Sequence, residues 1–280
     1  YFSPKEYNEA LRFDLERGLT TINFRPDLAS LLSKNPDESP EDAGKGGTSA
    51  TSIEDFEECF KDIDLYNYPL FVNGGYSSLS IFTLFISYLK KNGIDIKKLN
   101  AAFLSDPLVF AMRTGVTPYD INTAFDEIYN LSKWTLDKEL NIKTIGVCGY
   151  EYTNAGSSAV QELGYAMASA IEYINQMLQR GLTIDDVAPK FFFTFGISTN
   201  YFMEVAKMRA ARIIWSNIID AYKGNEESKK IFIHSKTSLY NQAKNDIYVN
   251  LLRTTTEAFS AIAGGADSIY TSPFDETIAL

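Results

Sequence analysis

The sequence predicts a parallel α/β fold, and two observations carry that reading. Short apolar runs alternate with longer amphipathic stretches, at roughly 30–45 residues per strand–helix unit. Most of the short runs are apolar on both faces, as in Thr144-Ile145-Gly146-Val147-Cys148 and Phe191-Phe192-Phe193. Continuous apolar strands belong to parallel sheets that are covered on both sides.

Taken in chain order, strands are expected over 19–25, 70–74, 99–104, 143–149, 190–195, 230–236 and 267–271. Helices are expected between them. Leu79, Phe82, Phe85, Ile86 and Leu89 recur at three- and four-residue spacing, as do Ala166, Ala170, Tyr173, Ile174 and Met177. That spacing places them on one helical face. Tyr201–Ala221 repeats the pattern. Residues 33–52 differ: they are rich in Ser, Gly, Asp, Glu and Pro, nearly free of apolar side chains, and read as a mobile surface loop. Strand–helix rhythm resumes on both sides, so one domain over 1–280 is expected. Seven strands at this spacing fit a TIM (β/α)8-type barrel better than an open doubly wound sheet, although a closed barrel has eight.

Composition excludes several classes. The chain has 280 residues, 45% of them hydrophobic, which is ample for a large core. Its net charge of -10 argues against a nucleic-acid partner. No apolar run reaches the roughly 18–20 residues that span a bilayer. The chain opens on Tyr1 rather than Met, and its polar, mixed-charge start does not read as a signal peptide, so it is taken as processed or trimmed. Two cysteines without metal-ligand spacing fit a reducing, cytoplasmic compartment. A single histidine disfavours a His/Cys metal centre.

In a barrel, chemistry sits on loops at the C-terminal ends of the strands. That rule selects Asn73-Gly74-Gly75, Ser105-Asp106-Pro107, the loop over 149–156, His234-Ser235-Lys236-Thr237-Ser238, and Tyr270-Thr271-Ser272-Pro273-Phe274-Asp275. Each also has an ordinary structural reading. Asn73-Gly74-Gly75 reads as a turn, and Asp106-Pro107 as a helix cap and start. Glu151 reads as a solvated loop carboxylate or a site residue, and His234 as a structural or a titrating group. Lys207, Arg209 and Arg212 read as a solvated helix face or as Arg–carboxylate pairs. The sequence contains no nucleophile elbow, P-loop or dinucleotide fingerprint.

Longer motifs carry a resemblance. Arg253-Thr254-Thr255-Thr256-Glu257-Ala258, followed by Gly264-Gly265-Ala266-Asp267-Ser268-Ile269-Tyr270-Thr271-Ser272-Pro273-Phe274-Asp275-Glu276, resembles the last helix and strand of the methylmalonyl-CoA mutase barrel. Phe202-Met203-Glu204-Val205-Ala206-Lys207-Met208-Arg209-Ala210-Ala211-Arg212 is similar to a second family signature, and 149–156 with Gln161-Glu162-Leu163 to a third. The resemblance runs along nearly the whole chain and is weakest over 1–52. It implies an acyl-CoA carbon-skeleton isomerase that uses adenosylcobalamin, in which the cofactor makes the radical and the protein positions and shields it.

Departures from the catalytic pattern qualify that implication. Where catalytic chains have Gly-Tyr-His, this chain has Gly149-Tyr150-Glu151, and an ionised carboxylate only accepts hydrogen bonds. Where they have His-x-Gln-Thr-Ser, it has His234-Ser235-Lys236-Thr237-Ser238. Their Thr-Ile-Gln-Asn-Asp run is here Ala101-Ala102-Phe103-Leu104-Ser105-Asp106. No Asp-x-His-x-x-Gly cobalt-ligand motif occurs, and the family's first barrel strand finds no match. The seven strands therefore correspond to the second through eighth, in a barrel fragment that lacks its first strand. Asp106-Pro107-Leu108 and Tyr152-x-Asn154-Ala155-Gly156 look like the small subunit of heterodimeric members, which is not catalytic.

The resemblance thus implies a small subunit partnered with a large catalytic subunit that holds adenosylcobalamin, with acyl-CoA bound in the complex. It places Tyr150, Glu151, His234, Lys236 and Asn250 at vestigial substrate-pocket positions and Glu257 at a cofactor-facing one. Arg253 and Glu204 read as buried pairs between helix and strand. Two alternatives stay open: an active acyl-CoA mutase of altered substrate, and a cobalamin-independent ligand-binding barrel.

Overall fold

The computed structural model describes residues 2–278, so Tyr1 and the last two residues lie outside the described residues. In chain order it contains α1 (Pro4–Glu16), β1 (Ile22–Phe24), α2 (Leu28–Leu31), α3 (Ile53–Cys59), β2 (Leu70–Asn73), α4 (Leu79–Lys91), β3 (Ala101–Ser105), α5 (Pro107–Thr114) and α6 (Ile121–Asp137). Then follow β4 (Ile142–Cys148), α7 (Gly149–Asn154), α8 (Ala159–Gln179), α9 (Ile184–Val187), β5 (Phe191–Ile197), α10 (Tyr201–Ala221), β6 (Ile233–Thr237), α11 (Val249–Gly264) and β7 (Ser268–Tyr270). The strands form one seven-stranded sheet in the order β1-β2-β3-β4-β5-β6-β7. The paired strands run parallel. Sequential parallel order is that of a (β/α) barrel with one strand fewer than eight, as the sequence predicts.

All seven expected strands are present. The first is shorter than expected, three residues in place of 19–25. Within it, Ile22 and Phe24 are buried and Asn23 is exposed. The helix over Tyr201–Ala221 has the predicted bounds.

Helix ends follow local chemistry. Ser3 and Glu6 make a reciprocal capping box on α1, with Pro4 in the first turn. Ser158 and Gln161 do the same for α8. Asp106 caps α5 by accepting from the Val109 amide, and Pro107 begins the helix. Asn73 Oδ1 accepts from the Gly75 amide at 3.1 Å, closing the turn after β2. Among the described residues no helix is long and apolar enough to cross a membrane.

The chain divides into two compact units, Tyr1–Ile145 and Gly146–Leu280. The first has an aromatic core: Phe24, Phe56, Phe60, Phe85, Tyr88 and Phe103 are all buried. Most of their rings meet edge-on or tilted, as Phe85 and Phe103 do at 5.1 Å, while Phe56 and Tyr88 stack. Residues 33–52 form a series of turns. Asp27 ties them down, accepting from the Gly44 amide at 2.8 Å while capping α2 through the Ser30 amide at 3.0 Å.

In the second unit Trp215 of α10 packs edge-on against Phe193 of β5 at 5.0 Å. Helices α10 and α11 come close at Gly264, where a Cβ would meet the Met208 Cβ at 2.9 Å.

Candidate functional site

The candidate site lies in the second unit, and strand register builds it. In β5, β6 and β7 the register pairs Thr194 with His234, Gly196 with Lys236, His234 with Ser268, and Lys236 with Tyr270. Because side chains alternate along a strand, these residues share one face. The opposite face, with Phe193, Phe195, Ile233, Ser235 and Thr237, is fully buried. The site face is half-buried at Thr194, His234, Lys236, Ser268 and Tyr270.

Residues 149–156, expected as a loop, begin with a helical turn, because α7 starts directly after β4. Tyr150 is buried and Glu151 half-buried in the first turn of α7. The turn sits tightly on β5: a Cβ at Gly196 would lie 2.7 Å from the Thr153 Cβ, so only glycine lets α7 approach.

Lys236 is the centre of the site. Its ammonium lies 4.5 Å from the Tyr150 ring centroid and 4.8 Å from the Tyr270 centroid. Glu276 Oε1 stands 3.8 Å from the Lys236 Nζ. The Tyr150 hydroxyl and Glu276 Oε2 are buried and have no hydrogen-bond partner among the described residues. Burial holds the Tyr150 pKa above the ordinary tyrosine value, and the Asn154 amide nearby reverses this only in part.

His234 Nδ1 lies 2.7 Å from the Ser268 Oγ. Burial, and then the charge of Lys236, push its pKa down to about 4, so the ring is neutral at pH 7. Asn250 is fully buried, and its amide makes three bonds to backbone groups. It accepts from the Ala243 amide and donates to the Ala243 and Phe274 carbonyls, each at 2.9 Å. That pattern pins two loops.

Glu257 is fully buried on α11, and neither carboxyl oxygen has a hydrogen-bond partner among the described residues. The nearby Ser238 N–H is already donated to the Ile197 carbonyl at 2.9 Å. Burial first, then the negative charge of Glu204, raise the Glu257 pKa to about 8, with Arg253 opposing. At pH 7 the group is therefore mostly a neutral acid, able both to donate and to accept. A buried orphan acid of this kind fits a hydroxyl-bearing ligand.

One cluster was not legible as a site residue set. Lys207, read as part of a solvated face or of carboxylate pairs, is only 4% exposed, so the solvated face fails for it and the pairing holds. Its ammonium is paired with Glu162 of α8 and Glu204 of α10, the latter at 2.6 Å, and donates to the Gly196 carbonyl. Glu162 also accepts from the Gly196 amide at 2.7 Å, and Glu204 from the Ser198 hydroxyl. Burial alone would lower the lysine pKa, but the two carboxylates more than reverse this and hold it above its ordinary value.

The signal lay in spacing. Glu204, Lys207, Met208, Ala211, Trp215 and Ile219 form one buried stripe on α10, while Arg209 is exposed off it. Glu204 thus makes its buried pair within α10 and through Lys207 to α8, not between helix and strand. Arg253 donates to Asn250 Oδ1 one turn back on its own helix, at 3.2 Å. Arg212 does form the expected carboxylate pair, with Asp267 at 3.2 Å.

Among the described residues no group of three His, Cys, Asp or Glu side chains could hold a metal ion. The site brings together a caged ammonium, a neutral imidazole and the orphaned acid of Glu257.

The family profile described as methylmalonyl-CoA mutase matches residues 1–280. Similar proteins include the methylmalonyl-CoA mutase of Rhizobium meliloti (strain 1021), 31% identical over 283 residues, covering all of this chain and 40% of that protein. The mitochondrial methylmalonyl-CoA mutase of Bos taurus is 30% identical over 285 residues, covering all of this chain and 38% of its own length. The methylmalonyl-CoA mutase of Escherichia coli (strain K12) is 30% identical, and 40% of it is covered. The chain spans about two-fifths of the length of these relatives. With all of its residues matched by the family profile, this chain belongs to the methylmalonyl-CoA mutase family.

Proposed function

We propose that this chain acts as a non-catalytic small subunit that supports a large catalytic subunit of a methylmalonyl-CoA mutase. The observation that carries the reading is the occupancy of the substrate positions. Lys236 stands where catalytic chains have glutamine, and its ammonium is held by Tyr150, Tyr270 and Glu276. Glu151 stands where they have a carbonyl-binding histidine. A carboxylate there presents negative charge to a thioester oxygen that needs a donor in the transition state. His234, neutral and hydrogen-bonded with Ser268, presents no imidazolium charge to a ligand at pH 7.

Adenosylcobalamin supplies the radical in the holoenzyme, and in this reading the large subunit holds it. Glu257 stands at the family's cofactor-facing position. Its buried acid suits a hydroxyl group, such as a ribose hydroxyl.

The test mixes the full-length chain with a large mutase subunit from the same source. Size-exclusion with in-line light scattering reports assembly, and a mutase assay with adenosylcobalamin runs on every fraction. The expected result is a one-to-one complex, with turnover only where the large chain elutes. Turnover by this chain alone would establish the altered-substrate mutase instead. Failure to assemble, with ligand binding but no turnover, would favour a binding barrel.

A further inference from the structure

Lys236 is half-buried on the site face, and three groups converge on its ammonium. Two are the faces of Tyr150 and Tyr270, with centroids at 4.5 and 4.8 Å. The third is the carboxylate of Glu276, with Oε1 at 3.8 Å. Two aromatic faces and one acid around a single nitrogen are the elements that recognise ammonium groups, because each ring presents its negative quadrupole face to the charge.

The cage is also built rather than incidental. Tyr150 is anchored in α7, whose approach to β5 depends on Gly196. Tyr270 lies directly across from Lys236 in the β6–β7 register. Glu276 is largely buried, and its second oxygen has no hydrogen-bond partner among the described residues. That leaves acceptor capacity for an ammonium with three N–H donors.

We propose that Tyr150, Tyr270 and Glu276 form a binding site for a primary alkylammonium group, filled from within by the side chain of Lys236. The lysine is an intramolecular ligand. An external ligand reaches this part of the site only by displacing it. The cage rests on its own geometry and holds whether or not the chain supports a large subunit.

The experiment removes the internal ligand and offers it back. Lys236→Ala deletes three methylenes and the ammonium, which is the bulk of n-propylammonium. The full-length variant is titrated with methyl-, ethyl-, propyl- and butylammonium, and with 1-propanol as the neutral shape control. Melting temperature and calorimetric heat are followed. The expected result is a melting-temperature rise of about 2 °C or more at saturating propylammonium, from ligand binding to the folded state. The rise should peak at propylammonium, be absent with 1-propanol, and be absent in the unsubstituted chain. No rise, or an equal rise with propanol, would overturn the proposal.

A second measurement covers the case in which Lys236→Ala does not fold. In the unsubstituted chain, the Lys236 ε-methylene protons should resonate upfield of those of every other lysine, through the ring currents of two tyrosines. The resonance is assigned by its loss in Lys236→Met, and Tyr270→Leu should return it toward the others. A Lys236 signal among the ordinary lysines would sink the cage. Because these readouts are ligand binding and chemical shift, failure here is distinguishable from failure to form a heterodimer.

Discussion

The two units solve the problem of a core with opposite chemistry. The core of the first is a continuous set of aromatic and aliphatic side chains around Phe24, Phe56, Phe85 and Phe103. The second buries Glu162, Glu204, Lys207 and Glu257 together with its apolar residues. Apolar packing is non-directional and tolerates repacking. A buried ion cluster is directional and costs several kcal/mol of desolvation per ion unless every partner is in place. The difference assigns roles: the first unit is specified mainly by shape, whereas the second adds polar pairings that also hold Gly196 of β5 beside the candidate site.

The largest expected break in this contrast is Lys207→Met. It leaves two carboxylates buried without their cation, and should cost about 3–5 kcal/mol in urea unfolding. The matched change in the first unit is Phe85→Leu, which keeps the core apolar and should cost only about 1–2 kcal/mol. Equal losses for the two variants would erase the distinction.

A middle-sized effect appears in pH dependence, where two groups of the second unit act in opposite senses. The Glu257 acid has a folded-state pKa of about 8 against an ordinary 4.5, so the folded chain holds that proton more tightly. Its stabilising contribution is fully present below pH 4.5 and is lost as pH rises through about 8. Glu257→Gln should therefore raise stability at pH 8 relative to pH 5, by an amount on the order of 3 kcal/mol. Parallel stability curves for variant and unsubstituted chain would contradict the buried-acid reading.

His234 has a folded-state pKa of about 4 against 6.5, so its contribution is present above pH 6.5 and lost as pH falls toward 4. It is the only histidine in the chain, so one C2–H resonance reports it, with an expected NMR midpoint near 4. A midpoint near 6.5 would place the ring in solvent.

The smallest effect is Phe85→Leu itself, on site chemistry rather than stability. It should leave the His234 midpoint unchanged. A moved midpoint would mean that the aromatic core and the site are coupled.

Much of this was legible in the amino-acid order. Strand positions followed from apolar runs such as Phe191-Phe192-Phe193, and the bounds of α10 from its periodicity. Asp106-Pro107 announced the start of α5, since a carboxylate cap followed by proline is a local, side chain-to-backbone arrangement. The family was legible from long motifs.

What these residues do was decided by tertiary structure. Lys207 reads equally as a solvated or a carboxylate-paired charge, and only packing of α10 against α8 brings Glu162 to it and buries the pair. Asn250 reads as a pocket residue, and only the folded loops show its amide engaged with Ala243 and Phe274. Lys236 and Tyr270 are 34 positions apart and meet through strand register. Hydrophobic period and capping are encoded within a turn or two of chain, so the sequence alone determines them. The charge state of a buried group depends on desolvation and on neighbours distant in sequence, and those exist only once the chain is folded.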